Sequence, residues 1–131
     1  MVMNTFLKAI PKLALWAAII VFFAIAFLSL TPSYELPGPR LSDKIHHLIA
    51  YGVLTATAIM GRHRRSVLTV LAAVIAYGFL LEALQGLMGL GRSASWLDGI
   101  ANMVGALLGV LVALAFEKVI YAATVSKRPP R

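Results

Sequence analysis

The feature that most constrains this chain is an uncharged apolar run at residues 13–30, LALWAAIIVFFAIAFLSL. Its 18 residues are long enough to cross the hydrocarbon core of a bilayer as an α-helix. A cleaved signal peptide is the alternative, because Lys8 and Lys12 precede the run and Ala24-Ile25-Ala26 resembles a cleavage site. The apolar run continues past this site to Leu30, which favours a membrane-spanning helix.

The composition of the whole chain agrees with this interpretation. The mean hydropathy is +0.87, and only 13% of the residues are charged. A soluble domain of 131 residues would need more charge to cover its surface, so the composition indicates a small integral membrane protein. The chain contains no cysteine, which excludes disulfides and cysteine-based metal sites.

Turn and capping residues divide the chain into four predicted helices. The segment 31–42, TPSYELPGPRLS, is predicted to be a loop because it contains three prolines and a glycine. Residues 61–65 form a basic connector, and 89–95 form a turn that ends at Ser95, the predicted cap of the fourth helix. The predicted helices cover about residues 9–30, 43–60, 67–88 and 96–121, followed by a basic cytoplasmic tail at 122–131. We therefore predict an all-α polytopic membrane protein, a single domain at 1–131 that forms a four-transmembrane-helix bundle.

The basic residues predict the orientation of this bundle. Nine of them lie on the side that holds both termini: Lys8, Lys12, Arg62, Arg64, Arg65, Lys118, Lys127, Arg128 and Arg131. Three lie on the opposite side: Arg40, Lys44 and Arg92. By the positive-inside rule both termini are cytoplasmic. The net charge of +7 is then mostly a topology signal, and we expect no nucleic-acid partner.

The unusual polar residues fall at the outer ends of the second, third and fourth helices. Helical spacing puts each set on one face: Asp43, His47 and Tyr51; Glu82 and Gln85; Asp98 and Asn102. On the fourth helix the stripe continues as Gly105 and Gly109, which allow close packing within the monomer or across a homo-oligomer. Stripes of this kind should face the bundle interior, so they predict one outward-opening pocket.

Glu82 is the residue that structure alone explains least well. It follows the apolar run VLTVLAAVIAYGFLL, where an unpaired carboxylate costs about 2–4 kcal/mol. We expect it to pair with Arg92, His47 or Lys44. Ionisable residues inside membrane helices usually mark functional sites, so we favour a functional role for Glu82.

The other polar residues have structural alternatives. Asp43 is well placed to cap the second helix, where a negative charge suits the helix dipole. Asp98 follows Ser95 by three residues, as in a capping box. Asn102 is suited to a helix–helix hydrogen bond, and Lys44 to a position among the lipid headgroups.

Three motifs, in order along the chain, resemble the VanZ-like family of membrane proteins. They are Asp43-Lys44-Ile45-His46-His47 with Tyr51, then Glu82-x-x-Gln85, then Arg92-x-x-Ser95-x-x-Asp98-x-x-x-Asn102-x-x-Gly105. The resemblance covers about residues 28–110 and matches the family histidine to His47 rather than His46. It implies a bacterial, multi-pass protein of the inner cell membrane and, through the family's namesake, a link to low-level teicoplanin resistance. It implies no particular reaction.

Our first functional hypothesis is that the pocket binds a membrane lipid headgroup, a lipid-linked cell-wall precursor or a glycopeptide. The candidate ligand-binding residues are Asp43, Lys44, His47, Tyr51, Glu82, Gln85, Arg92, Asp98 and Asn102. Arg92 and Lys44 would contact phosphate, and the acidic and amide side chains would contact amines, hydroxyls or amides. No cofactor is expected.

Three alternatives remain open. A membrane-embedded hydrolase or transferase would use His47, Glu82 and Asp98 as acid–base residues, although the lack of a nucleophile motif makes an enzyme the less favoured choice. A proton-coupled transporter would use Glu82 as its coupling carboxylate, and a purely structural rim would need no ligand. No metal site is predicted, because a histidine and two carboxylates hold a divalent ion only if the helix ends converge.

Overall fold

The computed structural model describes residues 2–32, 43–62, 67–89 and 94–125, and within them the only regular structure is helical. The helices are α1 (Val2–Leu30), α2 (Asp43–Arg62), α3 (Val67–Met88) and α4 (Trp96–Val125). The predicted all-α class is therefore confirmed. Most of the loop predicted at 31–42, the turn residues around Arg92 and the last residues of the tail lie outside the described residues.

Two helix ends differ from their predicted positions. α1 begins at Val2 rather than near residue 9, because no glycine or proline interrupts the chain before Pro11. Pro11 lies inside α1, where it removes one backbone hydrogen bond without ending the helix. α4 continues to Val125 rather than ending near residue 121, since Ala122 and Ala123 are strong helix formers. Neither difference moves a candidate site residue.

Two hydrogen bonds show that α1 and α3 run in the same direction. The Tyr77 hydroxyl of α3 donates to the carbonyl oxygen of Phe22 at 2.7 Å. Two turns further along both helices, the Gln85 Nε2 donates to the carbonyl oxygen of Ser29 at 2.8 Å. The matching advance along the two helices requires a parallel arrangement.

α2 and α4 are also parallel, and they approach closely through glycine. A Cβ at Gly105 would overlap the carbonyl oxygen of Leu48, and one at Gly109 would overlap the carbonyl oxygen of Gly52. The Gly105–Gly109 stripe therefore packs against α2 of the same chain, where the missing side chains let the two backbones meet. Consecutive helices alternate in direction, so α1 starts at the end of the bundle where α4 finishes.

α2 is the central helix of the bundle. It packs against all three other helices and most extensively against α4. Its buried face carries polar residues near its beginning and apolar residues further along: His47, Tyr51, Leu54, Thr55, Ala56 and Ile59. The apolar core around it contains Ala18 and Ile25 of α1, Val74 of α3, and Ala106 and Ala113 of α4.

The surface of the bundle is apolar. On α1 a continuous helical stripe of large side chains is exposed, including Trp16 at 65% and Phe27 at 70%. A surface of this kind is suited to lipid and would be unstable in water. Three helices are long and apolar enough to cross a membrane, at Leu7–Leu30, Val67–Met88 and Trp96–Thr124. The chain is therefore a membrane protein.

α2 is not among these three helices, although four spans were predicted. Its first turns contain Asp43, Lys44, His46 and His47, which lower its average hydropathy. The outer face of α2 is nevertheless apolar, because Ile45, Ile49 and Val53 follow one another at four-residue spacing and are exposed.

Candidate functional site

Most of the buried polar side chains gather at one end of the bundle, where α1 and α3 finish and α2 and α4 begin. We call this the polar end, and the opposite end the basic end. The buried polar side chains are Ser29, His47, Thr55, Glu82, Gln85, Asp98 and Asn102. The name polar cluster is used below for Asp43, Lys44, His47, Glu82, Asp98 and Asn102.

His47 and Asn102 join α2 to α4 at the centre of the polar cluster. The His47 Nδ1 lies 2.8 Å from the Asn102 Oδ1, and both side chains are buried. A carbonyl oxygen only accepts hydrogen bonds, so Nδ1 is the donor. In the neutral imidazole the lone pair therefore lies on Nε2. This contact sets both the orientation and the tautomer of His47.

Glu82 connects α3 to the start of α4. Its Oε2 accepts a hydrogen bond from the backbone N–H of Ser95 at 3.0 Å, and its Oε1 lies 3.9 Å from the His47 Nδ1. A carboxylate at the N-terminus of a helix satisfies a backbone donor and suits the helix dipole. His47 was one expected neighbour of Glu82, whereas the Ser95 amide was not anticipated. Arg92, another expected partner, lies outside the described residues.

The capping box predicted at the start of α4 is formed only in part. The Ser95 Oγ is 3.4 Å from the Asp98 backbone nitrogen, a long hydrogen bond. In a complete box the Asp98 carboxylate would in turn accept from the Ser95 amide, but Glu82 takes that amide. Helix capping therefore does not account for the Asp98 carboxylate.

Asp98 and Asn102 each retain a buried polar atom that lacks a hydrogen-bond partner among the described residues. These atoms are the Asp98 Oδ1, an acceptor, and the Asn102 Nδ2, a donor. The closest described cation is the ammonium of Lys44, with Nζ 3.9 Å from the Asp98 Oδ1. The amide packs closely against Gly78, because a Cβ there would lie only 3.0 Å from the Asn102 Nδ2.

Three residues of the polar cluster bring potential metal ligands together. Asp43, His47 and Asp98 each offer one ligand atom, and these atoms all lie within 4.8 Å of one another. Asp43 is exposed at the start of α2, whereas His47 and Asp98 are buried. The ends of α2 and α4 thus converge, and the second carboxylate of the group is Asp43 rather than Glu82 of α3.

Comparison with protein families identifies the chain. A family model described as VanZ/LLP1 matches residues 4–117. The chain belongs to the VanZ/LLP1 family. The matched range contains all three motifs that carry the resemblance, so the predicted family is confirmed. No curated protein and no solved structure matches the chain.

In this VanZ/LLP1 chain two further candidate residues border the polar cluster. The Gln85 Nε2 donates a hydrogen bond to the Ser29 carbonyl oxygen and so connects α3 to α1. Tyr51 is only 1% exposed, and its ring lies 6.4 Å from the His47 imidazole at an interplanar angle of 12°. Tyr51 therefore forms part of the floor beneath the polar cluster.

Sequence reasoning missed one buried polar residue further along α2 and two backbone contacts at the site itself. Thr55 follows Tyr51 by four residues and continues the same face, so an extended stripe would have found it. Its hydroxyl is buried without a hydrogen-bond partner in the part of the chain that the structure describes. Ser29 and Ser95 contribute backbone groups to Gln85 and Glu82, and side-chain patterns carry no signal for such contacts.

A separate cavity of about 580 Å³ opens at the basic end. Its walls come from α1, α2 and α4 and are mostly apolar, with Leu7, Met60 and Phe116 among them. It contains none of the candidate site residues, so this cavity and the polar cluster lie at opposite ends of the bundle.

Proposed function

We propose that this VanZ/LLP1 chain crosses the bacterial inner membrane four times and binds a polar headgroup at the outer face. The ligand would be a membrane lipid or a lipid-linked envelope precursor, held by the polar cluster. One observation carries the proposal: the buried Asp98 Oδ1 and Asn102 Nδ2 have no hydrogen-bond partners among the described residues.

These two atoms make an empty polar end unfavourable. Each buried group left without a hydrogen bond costs about 1–3 kcal/mol. They lie four residues apart on one face of α4, so a ligand hydroxyl could donate to the Asp98 Oδ1 and accept from the Asn102 Nδ2, whereas an ammonium group could bind only the Asp98 oxygen. A bound headgroup would remove a cost that the protein otherwise retains.

The charges of the polar cluster indicate which headgroups suit it. Among its described residues the polar cluster has three carboxyl groups, on Asp43, Glu82 and Asp98, and only one lysine, Lys44. This excess of acidic groups favours an amine or hydroxyls in the interior of the site. The Lys44 side chain is 50% exposed at the rim, where it would meet a lipid phosphate.

The length and outer face of α2 support a fourth span. Its 20 residues extend about 30 Å, which equals the hydrocarbon thickness of a typical bilayer. Lipid would contact Ile45, Ile49 and Val53, while the other helices cover the polar face. With nine basic residues on the side of the termini, the basic end would be cytoplasmic and the polar end external.

Native mass spectrometry of purified, gently solubilised protein tests the proposal. We expect the wild type to retain a defined lipid or envelope precursor, and the folded variants Asp98→Asn and Asn102→Leu to lose it. Glu117→Gln is the matched control, because it removes a carboxylate from the far end of the same helix. Identical, unselective lipid profiles in all four proteins would refute headgroup binding.

A role in glycopeptide resistance would follow from this binding. A protein that sequesters the precursor headgroup would shield the target of the antibiotic, and one that binds the polar part of a lipid-tailed glycopeptide would lower the concentration of free antibiotic. Expression of the wild type in a teicoplanin-sensitive bacterium should then raise the inhibitory concentration, and Asp98→Asn should remove the increase. An equal increase with wild type and variant would separate resistance from the polar cluster.

A membrane-embedded hydrolase or transferase is the second candidate. The favouring observation is that the His47 imidazole is oriented by Asn102 and lies 3.9 Å from Glu82, a suitable start for acid–base chemistry. Incubation of the protein with the lipid found by mass spectrometry should then yield products that His47→Gln does not form. Unchanged lipid after prolonged incubation would refute catalysis, and binding would then be the only function that remains.

Proton-coupled transport receives less support. The buried polar side chains on described residues reach no further along α2 than Thr55. Beyond it the described core is apolar, with Ile59, Val70 and Ala113 in the centre of the bundle. A coupling path from Glu82 to the basic end would have to pass through this apolar region.

A further inference from the structure

We propose that Asp43, His47 and Asp98 form a binding site for one divalent metal ion at the polar end. The site shares Asp98 with the proposed headgroup site, but its ligands all come from the protein and it needs no lipid. Four lines of evidence lead to it: the spacing of the ligand atoms, the unpartnered Asp98 oxygen, the orientation of His47 and the rigidity of α2 against α4.

The spacing fits a single ion. Nitrogen and oxygen ligands lie about 2.0–2.2 Å from Zn²⁺ and about 2.3–2.6 Å from Ca²⁺, so two atoms on the same ion are at most about 4.4 or 5.2 Å apart. The ligand atoms of Asp43, His47 and Asp98 all lie within 4.8 Å of one another. They meet the wider limit as they stand, and side-chain shifts of less than about 1 Å bring them within the narrower one. Asp43 and His47 are four residues apart on α2, the spacing that places two ligands on one helical face.

The Asp98 carboxylate supplies the second line of evidence. The side chain is only 7% exposed, and its Oδ1 lacks a hydrogen-bond partner in the described part of the chain. A buried carboxylate oxygen of this kind requires a cation or a donor. A metal ion held jointly with His47 meets that requirement directly.

The orientation of the His47 imidazole is the third line of evidence for the metal site. Histidine ligands usually donate their second ring N–H to a nearby acceptor, which fixes the tautomer for metal binding. The His47 Nδ1 already donates to the Asn102 Oδ1 at 2.8 Å, so the lone pair available to a metal lies on Nε2. Glu82, with its Oε1 3.9 Å from Nδ1, adds negative charge behind the imidazole.

The close packing of α2 against α4 is the fourth line of evidence for the metal site. The ligands come from these two helices alone, and Gly105 and Gly109 bring the two backbones into direct contact about two and three turns beyond Asp98. Little backbone movement is then needed to draw the three ligands onto an ion, which reduces the free-energy cost of organising the site.

Among the described residues, Lys44 is the cation that would compete with a metal ion for the Asp98 carboxylate, and its geometry allows the ammonium to move away from that carboxylate. Its Nζ lies 3.9 Å from the Asp98 Oδ1, beyond hydrogen-bond distance, and the side chain is 50% exposed. A long, exposed lysine can place its ammonium in the headgroup region instead. We therefore expect the ion to displace Lys44, and removal of the lysine charge to strengthen metal binding.

The donor set indicates the class of metal. One imidazole nitrogen with two carboxylates suits Zn²⁺ or Mn²⁺ better than a soft metal such as Cu⁺, which prefers sulfur ligands. Three protein ligands leave at least one coordination position for water or a phosphate oxygen.

Calorimetric titration of tag-free, chelator-stripped protein in lipid-free detergent with ZnCl₂ or MnCl₂ tests the site. We expect one equivalent per chain, with affinity lowered at least ~10-fold in Asp98→Asn and His47→Gln. His46→Gln is the matched control, because it removes a neighbouring exposed histidine, and it should bind as the wild type does. Lys44→Met should bind more tightly. Equal losses in His46→Gln and His47→Gln, or no saturable binding, would overturn the proposal.

Electron paramagnetic resonance of the wild type with Mn²⁺ covers the case in which a variant does not fold. A coupling from one histidine nitrogen is expected, and a spectrum of Mn²⁺ bound only to oxygen overturns the site. The lipid experiment, repeated with a chelator, separates the two proposals. Metal binding without a selective lipid refutes headgroup binding alone, whereas a retained lipid without metal binding refutes the metal site alone.

Discussion

Glu82 on α3 accepts a hydrogen bond from the backbone amide of Ser95 at 3.0 Å, so a carboxylate from one helix caps the next. Replacement of Glu82 by alanine leaves this amide without its partner and should lower the free energy of unfolding by about 1–3 kcal/mol. Glu82→Gln keeps an acceptor oxygen and should lose less. Thermal unfolding in detergent measures both, with Glu117→Ala at the other end of α4 as control. Equal losses for alanine and glutamine would show that the hydrogen bond contributes little.

His47 and Asn102 should be energetically coupled. Because their side chains form a buried hydrogen bond of 2.8 Å, the single replacements His47→Ala and Asn102→Ala each remove the same interaction. A double-mutant cycle on unfolding should give a coupling free energy of about 0.5–2 kcal/mol, the range for hydrogen bonds between membrane helices. Strict additivity of the two single effects would mean that the pair does not join α2 to α4.

Gly105 is expected to tolerate no side chain. A Cβ there would overlap the Leu48 carbonyl, which belongs to the backbone of α2 and can move only with the helix. Gly105→Ala should therefore destabilise the bundle by about 1–3 kcal/mol in the same unfolding assay. Gly99→Ala is the control, since its Cβ would meet only the edge of the exposed Phe79 ring, 3.3 Å away. The interpretation fails if the two variants lose the same stability.

The ion pair between Lys44 and Asp98 should contribute little to stability. The nitrogen and oxygen are 3.9 Å apart and the lysine is half exposed, so solvent screens the attraction. Lys44→Met should change the free energy of unfolding by less than about 1 kcal/mol. A larger loss would show that Lys44 is a fixed part of the cluster, which would also weaken the case for its displacement by a metal ion.

The orientation of the bundle can be measured by cysteine labelling, because the natural chain has no cysteine. We expect Ala94→Cys, at the polar end, to react with an impermeant maleimide on intact cells. Arg62→Cys and Lys118→Cys, at the basic end, should react only after permeabilisation. Labelling of Arg62→Cys on intact cells, with Lys118→Cys still protected, would show that α2 does not cross the membrane.

Long apolar segments and the prolines and glycines between them are enough to predict four helices. The helix ends were predicted less accurately, as at α1, which begins seven residues before the expected start because residues 2–8 contain no glycine or proline. The central position of α2 has a different origin. It depends on how the four helices pack, whereas its low hydropathy comes from the polar residues of its first turns.

The candidate site shows the same division. Four-residue spacing on α2 and α4 predicted that Asp43 and His47 share one face and that Asp98 and Asn102 share another, and the structure brings these faces together. The division of tasks between the acidic residues was not predictable. Glu82 caps α4 because the Ser95 amide lies beside its side chain, and a contact of that kind is not encoded in helical periodicity.

The central position of α2 bears on how the protein enters the membrane. Helices leave the insertion machinery one after another. α2 therefore emerges before α4, the helix against which α2 packs most extensively. Until then its buried histidine and threonine can be shielded only by α1 and α3 or by water at the insertion site. Membrane integration of α2 should therefore depend on α4, so a chain truncated before Trp96 should be retained poorly in the bilayer and degraded quickly.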